Sequence, residues 1–324
     1  MKRSPIVWIE LGRKLPPHLR ANIQLHKAMH PHLEQILITD QKVSRKLRKI
    51  CKIIQSEDLL PYIVEDELES NINRSTQQRE FWVNTTRRFL FLEGFVKQSG
   101  VSQLVHLESD NVLLISEIFD SAFDDSSWGM AYPMQADGIG CASILLVNGI
   151  ETLHDFNAFV IKSWNEKDQD DMRLLGLFAK SLSVQVLNSF PETDFVFDPQ
   201  TFGRFLLGTD ARNMRFPFAR RGIQDSRSGA IDISRGITFK YSEEIRRISV
   251  RSQFKESQLA NIHIHSKRVP KSASRLFRMI ARDIDNMGTQ NWYRGVLDWR
   301  VLLERSLSWL SRNILRSGKE IRLR

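Results

Sequence analysis

The sequence predicts an α/β protein: a mostly parallel sheet with helices on its faces. Two observations lead there. The apolar run Ile6-Val7-Trp8-Ile9-Glu10 is followed by a helical stretch and a second apolar run, Ile36-Leu37-Ile38-Thr39-Asp40. Strand, helix, strand in that order is a right-handed crossover and implies parallel pairing. The second observation is that apolar runs end in acids, at Asp40 and again at Glu108-Ser109-Asp110. Open α/β sheets gather their ligands beyond the carboxyl ends of their strands.

The elements follow in order. Gly12 and Pro16-Pro17 close the first strand, and residues 17–31 read as a helix. Residues 42–54 (KVSRKLRKICKII) are expected to form a basic amphipathic helix, and 55–80 a polar, acidic loop with short helical pieces. Phe81–Gln98 is the next helix, carrying Arg87 and Arg88 and stopped by Ser99-Gly100. It feeds the strand Leu104–Leu107. After the acidic triplet come a Gly-containing loop at 135–140, a strand at Ala142–Val147 and a helix near 151–164, and Asp170-Asp171 opens another helix. GIG at 138–140 is too short for a dinucleotide fingerprint. From 231 to 265 the pattern turns β-rich, with candidates at Ile237–Tyr241, Arg247–Val250 and Asn261–His265; residues 270 onward are helical and basic. There are no repeats and no clean linker. Residues 1–267 are expected to form one continuous domain, with 268–324 as a basic helical extension packed on it.

Composition narrows the class. The 324 residues carry 47 Lys and Arg against 38 Asp and Glu, a formal charge of +9, with 41% hydrophobic residues. That is a globular chain, not a disordered one, and its basic balance suits nucleic acid, an anionic membrane surface or phosphorylated small molecules. Cys51 and Cys141 are the only cysteines, which excludes a disulfide framework and fits a reducing compartment. No apolar run reaches the roughly 18 residues needed to cross a bilayer, so the cytoplasm is the default expectation.

Two constellations carry chemistry. In Val105-His106-Leu107-Glu108-Ser109-Asp110 the carboxylates are spaced i, i+2. On extended backbone both point the same way, so both can face one hard cation, Mg2+ or Mn2+, shared with a diphosphate. Alone, the triplet also reads as an acidic surface turn. His263-Ile264-His265-Ser266-Lys267 is the second. Alternation on a strand puts both histidines on one face, with Lys267 joining them if the strand persists. Imidazole is a Mn2+ ligand, and Lys supplies a point charge for phosphate.

An apolar strand ending in a DxD-type motif, with His and Lys far downstream, resembles metal-dependent glycosyltransferases of the GT-A fold. The opening VWIELGRKLPPHLRANIQLHKAMHPHLEQILITD is similar to theirs, as is FWVNTTRRFLFLEGFVKQSG before HLESD. The chain also resembles uncharacterised bacterial and viral glycosyltransferase-like proteins in its HLESD-like, DMxLLG-like, FGxxLxGxDxRN-like and HIHSK-like segments.

The resemblance implies a GT-A-like, Rossmann-type sheet with a small second β-region and C-terminal helices. It implies Asp110 as the direct metal ligand, Glu108 on the ribose or the metal through water, and His265 completing a Mn2+ or Mg2+ site. Lys267 would hold the leaving diphosphate; Trp8, Ile9 and Asp40 would lie beside base and ribose. Arg88, or its neighbour Arg87, would steady the diphosphate or the acidic motif. Glu in place of Asp at 108 departs from the common pattern. An inverting enzyme needs a carboxylate base, for which Asp171 is preferred over Asp170; an Asp at a helix start is also simply a cap. Asp198, Asp210 and Arg212 fall in a stretch similar to the substrate cleft.

The function expected is sugar transfer from a nucleotide-sugar donor to a hydroxyl acceptor, a glycan or lipid-linked saccharide. The alternatives are a non-catalytic nucleotide-sugar-binding relative, a phosphotransferase using the same acids, or a basic nucleic-acid-binding protein. No RNP-like or zinc-finger pattern is present, so nucleic acid is not the expected partner. The tail Arg300–Arg324 mixes Leu303, Trp309 and Leu310 with Arg305, Arg312 and Arg316. It is expected to pack on its own core, with peripheral contact to an anionic membrane as the lesser reading.

Overall fold

The computed structural model describes residues 4–12, 14–63, 76–124, 127–135, 138–164, 170–181, 183–200, 202–207, 237–252, 255–265 and 267–288. The first half of the chain runs β1 (Ile6–Glu10), α1 (Pro17–Met29), β2 (Gln35–Thr39), α2 (Arg45–Arg48), β3 (Lys52–Gln55), a 3-10 turn (Ser56–Tyr62), α3 (Thr76–Ser99), β4 (Gln103–Leu107), β5 (Asn111–Leu113), α4 (Ile118–Ala122), β6 (Met130–Pro133) and β7 (Ile144–Asn148). The rest runs α5 (Glu151–Ser163), α6 (Asp171–Phe178), β8 (Val184–Leu187), β9 (Phe195–Val196), α7 (Phe202–Leu206), β10 (Thr238–Ser242), β11 (Arg247–Arg251), β12 (Glu256–Leu259), β13 (Asn261–His263) and α8 (Ala273–Gly288).

A seven-stranded sheet in the order β3-β2-β1-β4-β7-β6-β8 forms the centre. β3, β2, β1 and β4 are mutually parallel, as are β6 and β8. β7 runs antiparallel to both of its neighbours, β4 and β6. The sheet is therefore mostly parallel. The apolar run Ala142–Val147 reads correctly as a strand, but its direction is invisible in its composition.

Strands that are apolar on both faces need cover on both. On one side Val7, Ile9, Ile38 and Leu104 pack beneath Phe89, Leu92 and Phe95 of α3 and Phe156 of α5. On the other, Ile6, Trp8, Leu37 and Val105 meet Leu19 and Ile23 of α1 and Leu47 of α2. A smaller sheet, β10-β11-β12-β9, shares a third core with Phe202 of α7 and Leu276, Phe277 and Ile280 of α8.

The basic helix expected over 42–54 is corrected: only α2 is helical there, capped by Ser44, and 52–55 is an edge strand. The β-branched pair Ile53-Ile54 aligns with Leu37 and Ile38 of β2, and that packing outweighs a helix too short to hold itself. The strand expected over Asn261–His265 ends at His263. Gly100, in the left-handed region at φ 66, closes α3 with its N–H on the Val96 carbonyl. Among the described residues no helix is long and apolar enough to cross a membrane. The tail from Arg300 lies outside the described residues.

Candidate active site at the carboxyl ends of β1 and β4

β1 and β4 are neighbours and parallel, so Glu10 and Glu108 emerge at the same edge of the sheet. After β4 the chain turns tightly, with the Asn111 N–H on the Glu108 carbonyl at 2.9 Å. Helix α1 holds this turn. Asn22 Nδ2 donates to the carbonyls of Ser109 (2.9 Å) and Asn111 (2.8 Å). His26, kept neutral by burial with a pKa lowered to about 3, donates from Nδ1 to Asn22 O and accepts the Leu113 N–H at 2.9 Å. The acidic turn is thus a rigid part of the fold, and Asp110 is buried.

Strand β5 then pairs antiparallel with β13, placing His263 opposite Asn111, and Ile264 N donates to Asp110 O at 2.7 Å. This register delivers the histidine segment to the acids. His263 Nε2 lies 3.1 Å from Asp110 Oδ1 and 3.5 Å from Glu108 Oε2. One ligand atom from each of Glu108, Asp110 and His263 lies within 4.8 Å of the others. Two carboxylates and an imidazole converging on one point form a donor set that fits a divalent cation, Mn2+ or Mg2+.

Arg88 of α3 is buried behind the acids. It donates to Glu108 Oε1 at 2.7 Å and to Asp171 Oδ2 at 2.5 Å. Burial works against the Glu108 anion, but Arg88 and His263 overcome it and hold its carboxyl well below the usual carboxylate range. Asp171 receives less compensation: burial pushes it up to about 6 although Arg88 pulls the other way. Glu10 sits beside Ser109, and burial and the Glu108 charge raise it to about 7. Lys267 pairs with Asp110 Oδ2, and burial lowers its ammonium below the usual value.

The residues singled out from the sequence divide clearly. Glu108, Asp110, Arg88, Asp171 and Lys267 stand together. Asp170 is the N-cap of α6, its Oδ1 accepting the Arg173 N–H at 2.9 Å. Arg87 leans over the Phe91 ring, 5.8 Å from its centroid, while Arg88 takes the site. His265 stands behind His263: its Nε2 is 3.2 Å from His263 Nδ1 and 2.5 Å from Gln200 O. The place beside the acids expected of His265 is taken by His263, which the β13–β5 register sets opposite Asn111.

Trp8 is fully enclosed, its ring edge-on to His26, so its side chain has no open surface for a base. Ile9 is also buried. Asp40 lies at the surface, where its carboxylate accepts the Gly12 N–H. Asp198 is buried and accepts three backbone N–H groups, from Phe202 (2.8 Å), His263 (2.9 Å) and Gly203 (3.0 Å). It holds His263 in place and does not open into a cleft. Asp210 and Arg212 lie outside the described residues. The sequence reading missed Glu10 and the placement of His263. Glu10 carried a signal of its own, as an acid ending the first parallel strand.

No family model and no curated protein matches the chain. Among solved structures it is similar to the glycosyltransferase GlyE of Streptococcus pneumoniae TIGR4, at 15% identity and TM-score 0.38 over 58% of this chain and 46% of that one. It is similar to the galactosyltransferase LgtC in complex with donor and acceptor sugar analogues, at 16% identity and TM-score 0.37 over 61% of this chain and 77% of that one. Mouse xyloside xylosyltransferase 1 matches at 10% identity and TM-score 0.39 over 57% of this chain and 85% of that one. The chain spans less than half the length of the first of these. The chemistry of the site rests on its own residues.

Proposed function

We propose that this protein is a metal-dependent glycosyltransferase that moves a sugar from a nucleotide-sugar donor to a hydroxyl acceptor on a glycan or lipid-linked saccharide. One observation carries the reading. Glu108, Asp110 and His263 converge at the carboxyl ends of parallel strands, with Arg88 and Lys267 beside them. A cation centre flanked by fixed cations is what a departing nucleoside diphosphate needs, since negative charge builds on its leaving oxygen.

A bound Mn2+ or Mg2+ would neutralise part of that charge. The rest falls to the chain. Glu108 and Asp110 orient the centre, each held by a cationic side chain. Lys267, on the rim of the site, supplies an ammonium for the diphosphate. Arg88 fixes Glu108 and Asp171 at once, so the acidic motif and the acceptor-side acid are set by one guanidinium. Asp171 is the acid assigned to take the acceptor proton. With its pKa raised to about 6 it is ionised at neutral pH yet more basic than a free carboxylate. Asp40 and the β1 end, where Ile9 and the backbone of Trp8 lie, border the space assigned to base and ribose.

The test is calorimetric binding of UDP, GDP and their sugar conjugates, with and without Mn2+, to wild type and Asp110→Asn. Metal-dependent binding that vanishes in Asp110→Asn, with transfer lost and melting behaviour kept, is the expected result. Absence of binding to every nucleotide would overturn the assignment.

A further inference from the structure

Each carboxylate oxygen at the acidic turn faces a basic group of the chain itself, although Asp110 Oδ2, paired in charge with Lys267, accepts no hydrogen bond. Glu108 Oε1 takes Arg88, Glu108 Oε2 and Asp110 Oδ1 face His263, and Asp110 Oδ2 takes Lys267. These donors differ in freedom. The Arg88 side chain is 8% exposed and pinned between two acids, whereas the Lys267 side chain is 36% exposed on a flexible four-carbon stem. The Lys267 backbone is fixed, in the left-handed region at φ 57 with its N–H on the Ile264 carbonyl. The ammonium can leave Asp110 while its anchor stays put. The acids it faces are Asp110, Glu108 and Glu10.

We propose that Lys267 is an internal counter-ion that occupies the cation site of the free protein and is drawn off by the donor diphosphate, so that metal and nucleotide bind cooperatively. This rests on the glycosyltransferase reading and adds an order of events to it. An ammonium and a divalent cation on the same buried carboxylate repel each other, with little solvent between them to screen it, so the ammonium weakens metal binding. A diphosphate offers Lys267 other anionic oxygens within reach of its stem, which releases Asp110. Linkage makes the effect reciprocal: whatever factor the nucleotide adds to metal affinity, the metal adds to nucleotide affinity. The consequence is a site that takes up its metal chiefly when donor is present.

The experiment measures Mn2+ affinity, by the loss of free-Mn2+ paramagnetic signal, with and without saturating UDP or GDP. It uses wild type, Lys267→Gln, Lys267→Asn, Lys267→Arg and Asp110→Asn. Asn is included because it tolerates a positive φ, which guards against simple misfolding. The expected result is that Lys267→Gln and Lys267→Asn bind Mn2+ alone about tenfold or more tightly than wild type. They also lose most of the tightening that the nucleoside diphosphate confers on wild type, and Lys267→Arg retains it. Unchanged or weaker Mn2+ binding by both neutral variants, with binding abolished in Asp110→Asn, would overturn the counter-ion role and leave the metal site standing. Absence of Mn2+ binding to wild type and all Lys267 variants, with or without nucleotide, would overturn the metal reading itself.

Discussion

Replacing Arg88 by Met keeps much of the volume and removes the charge, and the cost follows from the geometry. The Arg88 side chain is 8% exposed, and its guanidinium contacts Glu108 at 2.7 Å and Asp171 at 2.5 Å. Breaking a buried ion pair by removing one partner costs about 3–5 kcal/mol, because a charge is left without compensation. Here two carboxylates lose the same partner, although Glu108 keeps His263. The relief available is protonation, and Asp171, already at about 6, is the readier of the two. Removing Arg88 raises it further, because the guanidinium is what pulled it down, so a proton costs less than the roughly 2.7 kcal/mol that the wild-type value sets at pH 8 and almost nothing at pH 6. The variant's native state takes up protons that the wild type does not, so its deficit shrinks as pH falls. We therefore expect a loss of about 4 kcal/mol at pH 8, falling by about 2 kcal/mol at pH 6. Urea unfolding of both proteins at the two pH values measures this. Arg88→Met combined with Asp171→Asn should lose most of the pH dependence. A loss below about 1 kcal/mol at pH 8 would refute the argument, since the ion pair would then contribute less than a surface one typically can.

Other perturbations separate scaffold from chemistry. A Cβ on Gly203 would meet the His263 carbonyl oxygen well inside contact distance, so Gly203→Ala must shift α7 and β13 relative to one another beside the acids. It is expected to cost about 1–3 kcal/mol and to weaken Mn2+ binding, and unchanged metal affinity would show that the register is looser than drawn. Asp170→Ala removes only a cap and should cost about 1 kcal/mol with transfer retained, whereas Asp171→Asn should abolish transfer; the reverse pattern in a transfer assay would exchange their roles. Glu10 has its pKa raised from 4.5 to about 7, so in this window the native state holds a proton that the unfolded chain releases. Stability from this group is present at low pH and declines as pH rises through about 7, by at most about 3 kcal/mol. Melting of wild type against Glu10→Gln from pH 5 to 8 should show the wild type falling behind, and parallel curves would remove Glu10 from the site's charge balance.

Much of the frame is legible in the sequence for one reason. Ile6–Ile9 and Ile36–Ile38 are apolar without alternation and Leu104–Leu107 is broken only by the buried His106, which fits strands covered on both faces, and the helical stretches beside them supply the cover. Asp110, Glu108 and Arg88 were readable because strand ends and the facing helix are where such a fold places its chemistry. What stayed hidden depends on direction and register. The run around Ile144–Asn148 would look the same in either orientation, so its antiparallel pairing with β4 cannot be read from its residues. The run at 42–54 carries a helical periodicity that a neighbouring strand overrides by pairing with Ile53 and Ile54.

The histidine segment shows the same limit most sharply, and it joins the fold to the chemistry. Alternation along Asn261–His265 treats the two imidazoles as equivalent, and nothing local distinguishes them. A contact 150 residues away in sequence makes the choice: Asn261 Nδ2 donates to Asn111 Oδ1, which sets β13 against β5 so that His263 faces the acids. The chain then turns, with the Lys267 N–H on Ile264 O. Had the strand continued, Lys267 would have been carried onward along the strand. The turn returns Lys267 to Asp110. Register thus decides which imidazole faces the acids, and the interruption that follows decides which cation stands against Asp110.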